Sequence, residues 1–246
     1  SKTMKKALTI ALAAALASAG MMAQAYEQGD WVLRAGATTV DPDTDSDDIN
    51  LPGDALGIPE GVVLKAEVDD DTQLGIIPMY MVTDNFGVEL LAATPFEHDI
   101  EAQGTGAIKG LNLDAGSTKH LPPTLSVQWY PRGGQDGWQP YIGIGVNYTV
   151  FFDEDVDNEL KETLGVLIPG VTDADLDLDD SFGLAGQVGV DIPFSDRWAV
   201  NIGVWYIDID TTAEITAKAA GEQVAKVKFD VDIDPWVYNI GIAYRF

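Results

Sequence analysis

The sequence contains no cysteine and few basic residues, and both absences narrow the functions that it can perform. Without cysteine the chain cannot build a disulfide scaffold, a thiolate zinc site or a cysteine nucleophile. Its 246 residues include 14 Lys and Arg against 40 Asp and Glu, which gives a formal net charge of −26. Nucleic-acid binding needs clustered basic side chains, so this balance excludes a nucleic-acid partner.

Long hydrophobic runs are also missing. Beyond the N-terminus, no segment approaches the roughly 18 apolar residues that a membrane-spanning helix requires, which excludes a polytopic helical membrane protein. A membrane β-barrel stays open, because its apolar residues alternate with polar ones along each strand. The hydrophobic content of 46% is high enough for a folded chain of one or two domains.

The N-terminus predicts an export signal. Lys5-Lys6 forms a positive start, residues 7–17 form an apolar stretch, and Ala23-Gln24-Ala25 forms an A-x-A cleavage site. We therefore expect residues 1–25 to be a signal peptide with a short upstream extension, cleaved on export to a Gram-negative outer membrane. Residues 26–246 would be the mature domain. A buried Ala-rich helix is the alternative for this segment.

After residue 26, apolar and polar side chains alternate in about eight segments of roughly ten residues. One face of each segment is rich in Ile, Val, Trp and Tyr, and the other is rich in Gly, Ala, Asn and Gln. Bulky residues suit lipid and small ones suit a narrow lumen, so the pattern predicts an all-β fold, an eight-stranded antiparallel transmembrane β-barrel. A soluble lipocalin-like or sandwich protein is the alternative. The segments are Trp31–Thr38, Thr72–Val82, Val88–Ala93, Thr124–Trp129, Pro140–Phe151, Phe182–Val190, Trp198–Tyr206 and Trp236–Phe246.

The connections between these segments alternate in length. The short ones follow residues 82, 130 and 192, and the long ones lie near 41–70, 97–119, 152–179 and 209–228. This alternation predicts short periplasmic turns and long extracellular loops. Aromatic residues near both ends of the strands predict two girdles at the membrane interfaces.

Six segments resemble the outer membrane protein W (OmpW) family. They are DNFGVELLAATPF (84–96), HLPPTLSVQWY (120–130), PYIGIGVNYTVFFD (140–153), FGLAGQVGVD (182–191), VWYIDIDTTA (204–213) and DPWVYNIGIAYRF (234–246). The resemblance implies a narrow channel that takes up small hydrophobic molecules, as in alkane-uptake relatives, and no enzymatic activity. It also implies that Leu91 and Trp205 form a hydrophobic constriction. Phe246 would belong to the signal that the outer-membrane assembly machinery reads.

Strand parity places charged residues near the short-turn ends of the lumen. They are Arg34, Glu89, Asp191 and Arg245. Opposite charges in a narrow, poorly solvated space should pair, because an unpaired buried charge is very costly. The parity therefore predicts a charged plug on the periplasmic side. A structural salt-bridged core is favoured over a gate.

Above this plug the inward face becomes apolar. The alternation places Leu91 and Trp205 on the lumen face of their strands. If the second strand keeps its register, Ile77, Met79 and Met81 lie on this face too. An apolar pocket of this kind suits a hydrophobic ligand, although the same side chains would also serve as filler. A closed floor below an apolar lumen suggests lateral release into the bilayer. Pro78 could assist by removing one ladder donor, although an awkward strand residue without such a role is the favoured interpretation.

Two further motifs compete with this interpretation. Residues 43–48 resemble a calcium loop, but Asp48 stands where the loop needs glycine and the closing Glu is missing, so only loose divalent-cation binding stays open. His98 and His120 are the only histidines, and Ser117 is the nearest serine for a Ser/His/acid site. Pro122-Pro123 points instead to a rigid strand start, and we expect no enzyme.

The sequence thus predicts a protein without cofactor or metal. The expected partners are outer-membrane lipid and lipopolysaccharide, small hydrophobic solutes and the assembly machinery. Uptake by lateral release from an apolar lumen is the first hypothesis for its function. A structural or adhesive envelope barrel with a plugged lumen and no transport is the second.

Overall fold

The structure is a computed structural model that describes residues 25–50, 62–106 and 109–246. Apart from Ala25, the predicted signal peptide lies outside the described residues. The described strands are β1 (Trp31–Asp41), β2 (Asp45–Ser46), β3 (Ile49–Asn50), β4 (Val62–Val68), β5 (Asp71–Met81), β6 (Phe86–Ala93), β7 (Phe96–Gly106), β8 (Asn112–Leu121), β9 (Thr124–Trp129), β10 (Gln139–Val156), β11 (Asp173–Leu178), β12 (Ser181–Pro193), β13 (Trp198–Ile207), β14 (Asp210–Ala219), β15 (Glu222–Asp232) and β16 (Trp236–Arg245). The helix α1 spans Asn158–Leu167.

Eight of these strands close into an antiparallel barrel. Their order is β1, β5, β6, β9, β10, β12, β13 and β16, and β16 returns to pair with β1. The predicted eight-stranded barrel is therefore confirmed. Between β1 and β16, Gly36 lies opposite Gly241, and a Cβ added to Gly36 would lie within 2.3 Å of the Ile240 carbonyl oxygen. Glycine is required here because the two backbones pass so closely.

The barrel strands turn their bulky apolar side chains outward. Ile144 on β10 is 76% exposed, whereas Asn147 and Thr149 of the same strand are fully buried in the lumen. Exposed aromatic rings lie in contact near both ends of the strands, as in the Trp198–Tyr244 pair at one end and the Tyr206–Trp236 pair at the other. An apolar outer band flanked by aromatic rings is the surface of a membrane barrel.

The long connections between the barrel strands form further strands and a helix rather than irregular loops. β4, β7 and β8 continue the barrel wall from the far end of β10, and β11, β14, β15 and β2 form a second sheet. The two sheets and α1 form the extracellular half, which we define as the described residues within 41–70, 96–121, 152–179 and 208–234. This half was predicted as long loops, because an apolar face that turns inward reverses the pattern used to recognise the membrane strands.

The helix α1 closes one side of the extracellular half. Its N-cap residue Asp157 accepts a hydrogen bond from the Glu159 backbone N–H, and Leu160 and Leu164 are buried. The spacing of these two leucines places them on one helix face, which packs toward the interior. Within the described residues, no helix combines the length and the apolar character needed to cross a membrane.

Candidate functional site

The centre of the lumen is occupied by a buried ion-pair network around Arg34. Its Nη1 lies 2.7 Å from Glu89 Oε2, and its Nη2 lies 2.6 Å from Asp191 Oδ2. The Nε of Arg34 adds a second bond to Asp191, at 3.1 Å from Oδ1. All three side chains are shielded from solvent. One guanidinium thus bridges carboxylates from two strands that lie far apart on the barrel wall.

Neutral side chains satisfy the remaining groups of this network. Gln128 and Gln187 each donate to the Glu89 carboxylate, and Asn201 and the Tyr26 hydroxyl donate to Asp191. Arg34 also donates to the Tyr130 hydroxyl at 2.8 Å. A buried ionic network is tolerable when its members are hydrogen-bonded in this way. The network lies in the lumen toward the short-turn ends of the strands.

Of the four charged residues predicted to form the plug, three come together and Arg245 does not. Arg34 is paired in the ladder with Ala243, two residues before Arg245. Arg245 therefore lies nearer the rim, where it donates to the carbonyl oxygens of Ala25 and Asp196 and lies 3.6 Å from the Asp30 carboxylate. Tyr26, which parity could not place because it precedes β1, takes part in the plug instead.

The apolar lumen residues separate into two groups. Ile77, Leu91 and Trp205 belong to the large apolar cluster on the extracellular side of the plug. Met79 and Met81 belong to a smaller cluster with Tyr130 and other residues on the periplasmic side. The reason is register, since Met79 lies beside Glu89 and Val32 in the ladders of β5. Met79 therefore lies outside the group that contains Leu91, contrary to the predicted grouping.

Leu91 and Trp205 are both enclosed in the lumen, at 2% and 1% exposure. The six-membered ring of Trp205 covers Gly203, where an added Cβ would come within 3.1 Å of it. Its indole nitrogen has no hydrogen-bond partner among the described residues. The two side chains thus fill the lumen between the plug and the extracellular half, and the glycine next to Trp205 provides the room.

An apolar cavity lies above them, inside the extracellular half. It encloses about 1170 Å³ of space free of protein atoms, part of it open to solvent. Its wall is almost wholly apolar and includes Leu64, Ile100, Leu160, Leu164, Phe229 and Val231. Leu64, Leu160 and Phe229 belong to the same contiguous apolar cluster as Leu91 and Trp205. An unbroken cluster of apolar side chains therefore joins the cavity wall to Leu91 and Trp205.

Sequence reasoning missed these cavity residues. The signal was present in the alternation of Val227, Phe229 and Val231 with Lys228 and Asp230 on β15. This alternation has the period of a β-strand, and the residues between the apolar ones carry a charge. A strand with one charged face lies in water on that face and buries the other.

Two histidines line the cavity among mostly apolar residues. The rings of His98 and His120 stack with centroids 4.6 Å apart and an interplanar angle of 17°. His98 Nδ1 lies 2.5 Å from the Asp69 carbonyl oxygen. Burial lowers the pKa of His98, and burial together with the neighbouring His98 holds the pKa of His120 well below its usual range. Both rings are therefore neutral at pH 7.

Ser117 and part of the acidic segment 43–48 lie in strands. Ser117 alternates with Thr118 on β8, so it lies on the face opposite His120. In the segment resembling a calcium loop, Asp45 and Ser46 form β2, and Ser46 Oγ accepts from the Ala66 backbone N–H. Lys65 Nζ lies 3.8 Å from Asp45. This acidic segment is therefore held by strand pairing and a lysine.

An acidic cluster lies outside the cavity at the start of the extracellular half. Carboxylate oxygens of Asp208, Asp210 and Asp234 all lie within 4.8 Å of one another. Partial burial and the charge of Asp208 raise the pKa of Asp210 to about 6. The cluster is therefore a point of charge repulsion.

Comparison with known proteins gives consistent matches. A sequence profile described as the OmpW family matches residues 27–246. Outer membrane protein W of Escherichia coli (strain K12) is 42% identical over 241 residues, which cover 98% of this chain and all of that protein. Outer membrane protein AlkL of Ectopseudomonas oleovorans is 28% identical over 221 residues, 90% of this chain and 84% of that one.

A third relative and two solved structures extend the comparison. The dibenzothiophene metabolism operon protein PahQ of Pseudomonas aeruginosa is 28% identical over 220 residues, 89% of this chain and 90% of that one. The crystal structure of OprG from Pseudomonas aeruginosa superposes with a TM-score of 0.75 at 45% identity, over 91% of this chain and 99% of that one. The AlkL structure in lipid bilayers gives 0.58 at 25% identity, over 90% and 92%.

Proposed function

Since this chain belongs to the OmpW family of outer-membrane β-barrels, we propose that it takes up small hydrophobic molecules across the outer membrane. The observation that carries the proposal is the apolar cavity of the extracellular half, together with the cluster of apolar side chains that joins its wall to Leu91 and Trp205. A concave, mostly apolar space with few polar groups is what binding a hydrophobic solute requires. The name of the PahQ relative, which cites dibenzothiophene, an apolar aromatic compound, is consistent with this class of solute.

We propose that the solute leaves sideways into the bilayer. The Arg34 network below Leu91 supports this route, because a fully hydrogen-bonded ionic floor offers no path to an apolar molecule. The β5–β6 ladder supports it too. Ile76 pairs with Ala92 and Met79 pairs with Glu89, but between them Ile77 and Pro78 have no partner on β6. Proline lacks the N–H that would close this gap.

The test is uptake of a labelled alkane or aromatic compound into cells that lack or express the protein. Leu91→Asp would place a carboxylate in the path, so uptake should fall severalfold while the amount of folded barrel stays near that of the wild type. Leu91→Met keeps the volume and the apolar character, and it should transport normally. Trp205→Ala should widen the lumen and raise ion conductance in planar bilayers.

A structural or adhesive barrel is the second candidate, because the Arg34 network plugs the lumen. Equal uptake in expressing and non-expressing cells would support it and contradict transport. Normal uptake by Leu91→Asp together with unchanged conductance of Trp205→Ala would assign both residues to filling the lumen.

The two chain ends carry proposals about processing and assembly. We propose that the signal peptide ends at Ala25, so protein from outer-membrane fractions should begin at Tyr26. We also propose that Phe246 is part of the assembly signal, supported by its backbone bond to the Trp31 carbonyl at 2.9 Å and its ring contact with Tyr244. Deleting Phe246 should lower the inserted barrel and leave export to the periplasm intact.

We propose that the folded domain contacts outer-membrane lipid and lipopolysaccharide. The apolar outer band supports the lipid contact. The acidic extracellular surface would approach anionic lipopolysaccharide only through bridging cations.

A further inference from the structure

We propose that the stacked His98–His120 pair binds the hydroxyl head of an aliphatic alcohol whose chain lies in the extracellular cavity. The preferred solutes would then be neutral amphiphiles with one O–H group rather than pure hydrocarbons. This inference deepens the proposed function and rests on it, since it names the substrate class of the same cavity.

The first step is the position of the two rings. His98 and His120 both line the cavity, whose other lining residues are apolar except for Thr118, Thr211 and Glu101. The Thr118 hydroxyl donates to the Lys119 and Phe152 carbonyl oxygens, at 3.2 and 3.4 Å. It is therefore engaged within the protein, and the paired imidazoles are the main polar feature of an apolar wall.

The second step is the hydrogen-bonding state of His98. A carbonyl oxygen only accepts, so the 2.5 Å contact with Asp69 means that Nδ1 of His98 carries the hydrogen. In a neutral ring the other nitrogen, Nε2, is then an acceptor with a free lone pair. Neither this atom nor Nε2 of His120 has a hydrogen-bond partner in the described part of the chain.

An unsatisfied polar atom in an apolar interior costs stability. The cost is removed when a ligand supplies the missing partner. His98 Nε2 needs a donor, and the cavity around it needs an apolar body. A single molecule with an alkyl chain and one O–H meets both needs.

The acidic residues around His98 favour a neutral head group over a charged one. Asp69, Asp70 and Asp71 lie close enough to His98 to influence its titration, and Glu101 lines the cavity. Their negative charge disfavours a carboxylate head. An ammonium head would be attracted, but transferring an ion into an apolar cavity costs far more than transferring a hydroxyl. A neutral alcohol is therefore favoured over both.

The test compares 1-octanol, octane, octanoate and octylamine on the protein embedded in lipid nanodiscs. Binding is followed by the amide chemical shifts of cavity residues. Because one hydrogen bond is at stake, 1-octanol should bind about three- to tenfold more tightly than octane. His98→Phe keeps an aromatic ring against His120 but removes the acceptor. This variant should lose that preference while its octane affinity stays unchanged.

Controls separate this inference from the proposed function. His98→Gln restores an acceptor and should recover part of the octanol preference, and heat-modifiable electrophoretic mobility should show that both variants are folded. Equal binding of octane and octanol, or tighter binding of octanoate or octylamine, would overturn the head-group inference and leave hydrophobic binding intact. Absence of binding by all four compounds would overturn the proposed function as well.

Discussion

The membrane half and the extracellular half of this barrel arrange the same kind of strand in opposite ways. In the membrane half, Ile144 is 76% exposed, while Asn147 and Thr149 of the same strand are buried in the lumen. In the extracellular half, Phe229 is 8% exposed, while its neighbours Lys228 and Asp230 face outward. The difference follows from the surrounding medium, because lipid accepts an apolar surface and water does not.

The interiors differ in the same sense. The lumen of the membrane half holds Arg34, Glu89 and Asp191 in a network whose members bond to one another. The extracellular half encloses an apolar cavity lined by His98 and His120, whose Nε2 atoms have no hydrogen-bond partner among the described residues. In the membrane half, polar side chains that face away from lipid thus pack densely against each other in the lumen. In the extracellular half, apolar side chains that face away from water surround a cavity. The first arrangement fills the lumen with paired charges, and the second leaves an apolar space.

The largest expected effect tests the polar interior. Arg34→Met would leave Glu89 and Asp191 buried without their cation, which should lower the free energy of unfolding by about 3–5 kcal/mol. In the extracellular half, Lys228→Met removes a mostly exposed partner of Glu214 and should cost below about 1 kcal/mol. Urea unfolding in lipid measures both. Equal losses would mean that the charge at Arg34 is not the source of stability in the membrane half.

The next effect tests the two outer surfaces with one substitution. Ile144 and the α1 residue Val166 are both highly exposed, at 76% and 83%. Ile144→Arg should destabilise the inserted barrel by about 2–4 kcal/mol because it faces lipid. Val166→Arg faces water and should stay within about 0.5 kcal/mol of the wild type. Folding yield and unfolding in lipid vesicles measure the difference, and similar behaviour of the two variants would contradict the proposed membrane boundary.

The contrast between the halves also explains what the sequence could predict. The eight membrane strands follow from alternation, since period two fixes which residues share a strand face with Arg34, Leu91 or Trp205. Alternation does not say which face meets lipid. In the extracellular half the strands have the same period, but their apolar face turns inward and their charged face meets water. For this reason β14 and β15 were interpreted as loops, and Phe229 was not recognised as a cavity residue.

Other parts of the site depend on register, which no single strand contains. The separation of Met79 from Leu91 follows from the pairing of β5 with β1 and β6. The stacking of His98 on His120 follows from the pairing of β7 with β8. Tyr26 reaches Asp191 across 165 positions of sequence. Such contacts exist only after the barrel has closed.

The smallest effect concerns the acidic cluster of the extracellular half. The folded state raises the pKa of Asp210 to about 6, whereas the unfolded chain keeps it near its ordinary 3.8. Between these values the folded state binds more protons than the unfolded state, so the contribution of Asp210 to stability falls as the pH rises from about 4 to about 6 and is constant above that. Asp210→Asn should therefore leave stability unchanged at pH 3.5 and raise it at pH 7.

Because Asp210 is mostly exposed, solvent screening should keep the gain below about 1 kcal/mol. Melting temperatures measured at the two pH values provide the test. Asp230→Asn removes one carboxylate at another exposed position of β15, and its melting temperature at each pH gives the baseline for losing a negative charge. An equal gain for Asp210→Asn at both pH values would show that repulsion within the cluster is not the cause.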